Sequence, residues 1–411
     1  MVVANMIGTG VFTTSGFLLA DLKSPERVLF VWVLGGVIAL LGALCYGALS
    51  RRIPESGGEY LFLSRTLHPS LGYVAGWISL LVGFSAPLAA AAFAFGQYAS
   101  PWTGSLAPQM SGSSLLIAFC LLHAFSVQRG AWVQNLTVIV KVVLIAGFIL
   151  LGATRMPVLP SMEVTSVPAA TVAVSLVWVM FSYSGWNAAI YIGGEVRNPE
   201  VNLPRALWIG TLLVMALYVA LNAVFVYSTP VSGLAGKLDI GRIAAESLGG
   251  PSWGIAVTLI VALALISSVS SMMMAGPRVY ARMAQDGYLP KALRAASGEA
   301  PRNGMVLQLA LSLVMLWSTT YEGLLTYIGF TLGISTALTV AGLVRLRMKE
   351  GAALPVPGWP WIPLLFLAAI IVITVLTIQM RPVVSLYGLA TLAAGWVVWR
   401  FHALARGSRS A

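Results

Sequence analysis

The chain has 411 residues, 58% of them hydrophobic and only 9% charged, with a mean hydropathy of +0.88. A soluble domain carries about 25% charged residues, so the composition excludes a soluble enzyme and describes an all-α polytopic membrane protein. The net charge of +11 does not imply nucleic acid, because its distribution along the chain is a topology signal.

Apolar windows of about 20 residues predict twelve spans, near 2–20, 28–50, 70–99, 113–127, 136–154, 169–192, 206–229, 252–277, 304–319, 323–343, 361–379 and 383–402. An even number puts both termini on one side. With those termini cytoplasmic, the inner loops and tail hold seventeen of the twenty-four Lys and Arg residues, the outer loops six, and Lys141 is left inside a span. That asymmetry follows the positive-inside rule and orients the chain in the plasma (inner) membrane.

The first span contains NMIGTGVF, residues 5–12. Gly8 and Gly10 flank Thr9, and two glycines with a hydroxyl between them weaken a helix. Taken alone the motif fits close helix packing equally well. Met1 stands only seven residues before Gly8, about 10 Å of helix at 1.5 Å per residue, which leads us to expect a natural start further upstream. The loop after the second span reads RRIPESGGEYLFLSRTLHPSLGYVAGW, residues 51–77.

The stretch VQNLTVIVKVVLIAGF, residues 133–148, runs into the fifth span, whose single charge is Lys141. A lysine at a span's centre costs about 2.5–3.5 kcal/mol on insertion scales. It either snorkels to the interface on its long stem or has a partner inside.

The sixth span contains FSYSGWNAAIYIGG, residues 181–194, and puts Ser182, Tyr183, Ser184, Gly185, Trp186 and Asn187 at mid-membrane depth. Interrupted spans at matching places in two inverted halves are the best sequence pointer to a transporter's substrate site. Unwound backbone survives only where it lines a cavity. Its N–H groups at a half-helix N-terminus suit a carboxylate and its free carbonyls suit an ammonium group, so the pair suits an α-amino acid.

The eighth span holds Ser267, Ser268, Ser270, Ser271 and the run SMMMA at 271–275; methionines there read as packing. Cys45 and Cys120 lie in apolar runs and suggest neither a disulfide nor a metal. His123 has no carboxylate or cysteine at ligand spacing, which argues for a packed histidine and against an enzyme. A sensor would need a signalling tail, and only ALARGSRSA follows His402. The sequence implies no cofactor and no metal.

These motifs carry a resemblance. NMIGTGVF, residues 51–77, and FSYSGWNAAIYIGGEVRNPEVNLPRA resemble the first helix, first cytoplasmic loop and sixth helix of the amino acid permeases and exchangers in the amino acid–polyamine–organocation superfamily. The resemblance covers the chain to about residue 345. It implies a LeuT-type fold with broken helices 1 and 6: a first repeat over 1–155, an inverted second repeat over 169–343, and two further helices over 361–403.

Residue by residue, the resemblance implies that Met6, Ile7, Gly8, Thr9 and Gly10 hold the substrate backbone with Phe181, Ser182 and Ser184. Thr9 and Gly10 would offer N–H groups to the carboxylate, while the carbonyls of Met6, Phe181, Ser182 and Ser184 would receive the ammonium. Phe181 would close over the substrate, and Trp186 and Asn187 would line the side-chain end. Ser184 stands where many relatives have glycine. Glu195 would belong to the cytoplasmic gate. Lys141 matches a lysine that sodium-independent members place where sodium-coupled relatives hold an ion, between helix-one carbonyls and helix-eight hydroxyls. No cysteine occurs in SPWTGSLAPQMSG, between spans three and four, which argues against a disulfide-linked subunit.

The thirteen acidic residues all fall in loops or at helix ends, and no arginine lies mid-span. With no charge to meet a charged side chain, the expected substrates are neutral L-amino acids. They would move without sodium, by proton symport or exchange; a cationic amino acid or polyamine antiporter is the alternative.

Overall fold

Apolar runs of this length must pair their backbone groups internally, and helices do so within one segment. The computed structural model describes residues 2–55, 57–125, 130–157, 166–295 and 300–407, with no strand among them. The chain opens with α1 (Val2–Met6), α2 (Gly10–Leu22), α3 (Pro25–Arg52), α4 (Gly58–Thr66) and α5 (Pro69–Ile78). A π-helical stretch (Ser79–Ser85) joins α5 to α6 (Ala86–Thr103), and α7 (Pro108–Phe125) and α8 (Gly130–Ala153) follow. Then come α9 (Ala169–Tyr183), a 3₁₀ segment (Ala188–Glu195), α10 (Pro199–Val226), the short α11 (Val231–Leu234) and α12 (Ile240–Gly249), and α13 (Pro251–Gln285). The chain closes with α14 (Arg302–Ser318), α15 (Tyr321–Glu350), α16 (Trp361–Met380) and α17 (Pro382–Gly407).

Seven of these helical stretches are long and apolar enough to cross a membrane: 25–52, 69–103, 199–226, 251–285, 321–353, 361–380 and 382–402. Gly10–Leu22, Val138–Ala153 and Ala169–Tyr183 are shorter apolar helices. Their ends obey local rules. Ser24 accepts a bond from the Arg27 N–H with Pro25 in the first turn, and Thr320 accepts one from Gly323. A hydroxyl at the N-cap and a proline just inside it satisfy or remove donors the helix leaves unpaired.

The middle of the molecule is α2 against α9, enclosed by α3, α10, α15 and α16. The short α1 lies against α8, α10 and α13. At one end, α2 is closed over. Gly236 N–H donates to the Gly16 carbonyl at 2.7 Å, and the Tyr98 hydroxyl donates to the Phe12 carbonyl at 2.7 Å. A Cβ on Gly16 would overlap the Lys237 carbonyl. Beside this contact Phe17 and Phe93 stack on Tyr321, Trp178 meets Phe17 edge-on, and the Tyr321 and Thr13 hydroxyls lie 2.8 Å apart.

Candidate functional site

The first helix stops at Met6 and resumes at Gly10, and α9 stops at Tyr183 before the turn 184–187. Residues 181–187 at the second of these interruptions lie against the first. A Cβ on Gly10 would stand 2.5 Å from Ser182 Cα, and one on Gly185, whose φ is +93°, would stand 2.9 Å from the Asn5 carbonyl oxygen. Rising number on one strand of chain thus meets falling number on the other: the two segments are antiparallel. The hydroxyls of Thr14 and Ser182 pair across the same contact at 2.9 Å.

Interrupted helices leave backbone groups that the helix itself cannot satisfy. Thr9 is the N-cap of α2 and Gly10 its first residue, so the helix itself leaves their N–H groups unpaired. At the end of α1 the carbonyls are largely taken. Lys141 is fully buried, and its amine donates to the carbonyls of Ile7 at 2.7 Å and Ala4 at 3.3 Å. Its amine therefore does not snorkel. The Met6 carbonyl accepts from the Gly8 N–H at 2.8 Å and also from the Tyr218 hydroxyl. With two lone pairs on a carbonyl, Met6 is filled from within the protein, so the ammonium role expected of it is not supported by this arrangement. The Phe181 carbonyl accepts only the Ser184 N–H among the bonds described, at 2.9 Å.

Behind this joint stands α13. Ser268 Oγ would lie 3.2 Å from a Cβ on Gly8, and the buried hydroxyls of Ser267 and Ser268 have no hydrogen-bond partner among the described residues. Ser270 pairs instead with His123 Nε2 at 2.9 Å, the packed histidine expected from the sequence.

A cavity of about 290 Å³ opens beside the second interruption. Phe181, Ser184, Trp186 and Asn187 line it, together with Asn5, Phe84, Tyr191, Met272, Arg278 and Thr336. Trp186 is 3% exposed and packs edge-on to Tyr46, so it is as much core as wall. Ile7, Gly8, Thr9 and Gly10 are buried at the joint and do not line the cavity, which Asn5 and Gly185 reach from the same contact. Of the methionines in SMMMA, Met273 is core but Met272 faces the cavity. Glu195 ends the 3₁₀ segment; its side chain lies outside the described residues.

Two corrections to the sequence reading concern charge. Glu59 does sit at a helix end, the second residue of α4, yet it is buried and lines the cavity. Gly57 and Gly58 both take positive φ, +148° and +59°, a turn that L side chains rarely adopt and that swings Glu59 inward. Its carboxyl accepts from the Tyr46 hydroxyl at 2.6 Å, Ser335 at 2.9 Å and the Asn187 amide at 3.0 Å. Arg278 and Arg282 line the same cavity. Arg278 is ten residues beyond Ser268 along α13, about 15 Å at 1.5 Å per residue. A cavity wall without charges was therefore the wrong expectation.

The family model for amino acid permeases matches residues 1–399. The chain belongs to the amino acid permease family. Its relatives include the human large neutral amino acids transporter small subunit 2, 29% identical across 97% of this chain and 78% of that protein. The mouse b(0,+)-type amino acid transporter 1 is 27% identical across 94% and 81% of the two chains. The serine/threonine exchanger SteT of Bacillus subtilis (strain 168) is 27% identical across 90% and 86%. Membership of this permease family makes the chain a multi-pass membrane transporter and not an enzyme.

Proposed function

We propose that this permease is a sodium-independent secondary transporter of neutral L-amino acids, working by alternating access. The observation that carries the reading is the antiparallel contact of two interrupted helices at the edge of one cavity, Gly10 on Ser182 and Asn5 on Gly185. Thr9 and Gly10 N–H groups receive the carboxylate there, and the carbonyls of Phe181, Ser182 and Ser184 receive the ammonium. Ile7 and Gly8 form the rest of the joint, Phe181 closes over the substrate, and Trp186 and Asn187 meet its side chain. The Lys141 amine stands in for a coupling cation at the end of α1, held by the Ile7 and Ala4 carbonyls, while the Ser267 and Ser268 hydroxyls of α13 do not bond it. Glu195 belongs to the inner gate.

The same reading assigns twelve spans: an inverted pair of five-helix repeats over 1–155 and 169–343, then two helices over 361–403. Both termini face the cytoplasm at the plasma membrane, and the Arg278 end of the cavity is its cytoplasmic mouth. Relatives named for large neutral amino acids and for serine and threonine support a neutral substrate. One relative is named as a small subunit; here Cys45 and Cys120 are both buried, so a partner subunit would be held without a disulfide. Glu59 is the observation that favours a cationic substrate, but three donors already occupy its carboxyl.

Purified protein in liposomes tests the proposal. It should move alanine, serine or leucine without sodium. Uptake of arginine or putrescine alone would replace the neutral reading. Accumulation into empty vesicles under a pH gradient marks symport, and dependence on internal amino acid marks exchange.

A further inference from the structure

Glu59, Asn187 and the cavity stand in a relationship that bears on which neutral side chains are accepted. Asn187 has one amide end that donates and one that accepts. Which end points where is decided by the partners around it. Here the Asn187 Nδ2 donates to Glu59 Oε1 at 3.0 Å, and Glu59 Oε1 also accepts from the Tyr46 hydroxyl at 2.6 Å. Ser335 on α15 fixes the other carboxyl oxygen, Oε2, at 2.9 Å. Glu59 is thus held from three sides, and an acceptor faces the amide. Asn187 is only half-buried and lines the cavity. With its NH₂ committed to Glu59, the carbonyl Oδ1 is the end left for the cavity.

We infer that Glu59 is a positioning residue that turns the Asn187 carbonyl into the cavity, selecting neutral amino acids whose side chains carry a hydrogen-bond donor. The inference rests on reading the cavity as the amino acid site. The chemistry is one-sided: Oδ1 is met by a hydroxyl or amide N–H, whereas an apolar or acceptor-only side chain leaves it unpaired. A site built around such a group rejects the analogue that lacks the donor more strongly than an apolar pocket rejects a missing methylene.

Homoserine and O-methylserine make the test sharp, because they are isomers of the same size and only homoserine has a side-chain O–H. Each competes against labelled alanine in liposomes, with threonine and valine as a second matched pair. Wild-type protein should prefer homoserine by about tenfold, the scale of one hydrogen bond. Asn187→Leu should bring the ratio to about one. Glu59→Gln should lower it several-fold, since the new amide can donate to Oδ1 and let Asn187 turn round. Glu59→Asp, which keeps the charge but draws the carboxyl back, should lower it too and serves where the glutamine variant accumulates poorly. Ratios are compared within each variant, so loss of folded protein does not move them. A wild-type ratio near one, or a tenfold ratio kept in Asn187→Leu or in either Glu59 variant, overturns the inference. If no neutral amino acid competes at all, it is the transport reading that falls.

Discussion

The amine of Lys141 lies 2.7 Å from the Ile7 carbonyl oxygen, at the point where the first helix loses its regular bonding. Removing the amine leaves two buried carbonyls, of Ala4 and Ile7, without their donor, and an unmet buried acceptor costs about 1–3 kcal/mol. Lys141→Ala should therefore reach the membrane in normal amount yet lose transport at least tenfold, a factor equivalent to about 1.4 kcal/mol. Transport assayed at matched protein levels checks this, and wild-type rates would show that α1 holds its place without the amine.

Gly10 has no room for a side chain. Its Cβ would stand 2.5 Å from Ser182 Cα, backbone that belongs to the other interrupted helix. Gly10→Ala should already reduce amino acid binding by more than tenfold, and Gly10→Val, stiffer at its branched Cβ, should abolish it. A binding isotherm on purified protein decides; normal affinity in Gly10→Ala would place the substrate elsewhere.

Ser184 narrows the cavity at the turn after α9. Ser184→Gly should widen the acceptance of large side chains, so that phenylalanine or leucine competes several-fold better relative to alanine. An unchanged order of competitors would mean that Ser184 faces something other than the substrate side chain.

Tyr321 packs over α2, its hydroxyl 2.8 Å from Thr13 and its ring stacked with Phe17 and Phe93. Tyr321→Phe removes one buried hydrogen bond and should destabilise by about 1 kcal/mol. Tyr321→Ala also removes the ring, and large-to-small changes of that kind cost about 3–5 kcal/mol. Denaturation of both variants in one detergent gives the two values, and equal losses would remove the ring stack from the account.

How far the sequence could be read depended on how local each cause was. The interruption at 7–9 is written in Gly8 and Gly10, and the approach of Gly10 to Ser182 needs a residue without a side chain. Helix starts at Ser24-Pro25 and Thr320 are likewise local. The burial of Glu59 is not legible locally, because its neighbours in sequence say only that a helix begins. Its burial is decided by Tyr46 and Ser335, which come from α3 and α15. Tyr218 gave no signal at all: one tyrosine in an apolar helix does not announce that its hydroxyl meets the Met6 carbonyl. Nor does SLLVGFS at 79–85 announce a π-helical turn, since i→i+5 bonding leaves little compositional trace.

The Glu59 carboxyl has a consequence for how such a protein changes over generations. One pair of oxygens holds α3 and α15 through Tyr46 and Ser335 while orienting the amide at Asn187. Mutations that broaden diet by turning the amide therefore also loosen the scaffold, whereas mutations at Ser184 leave Glu59 untouched. A change that acts through Glu59 thus has to rebuild the helix contacts around residue 59 as well, whereas one at Ser184 or at Asn187 itself leaves the Tyr46 and Ser335 bonds in place.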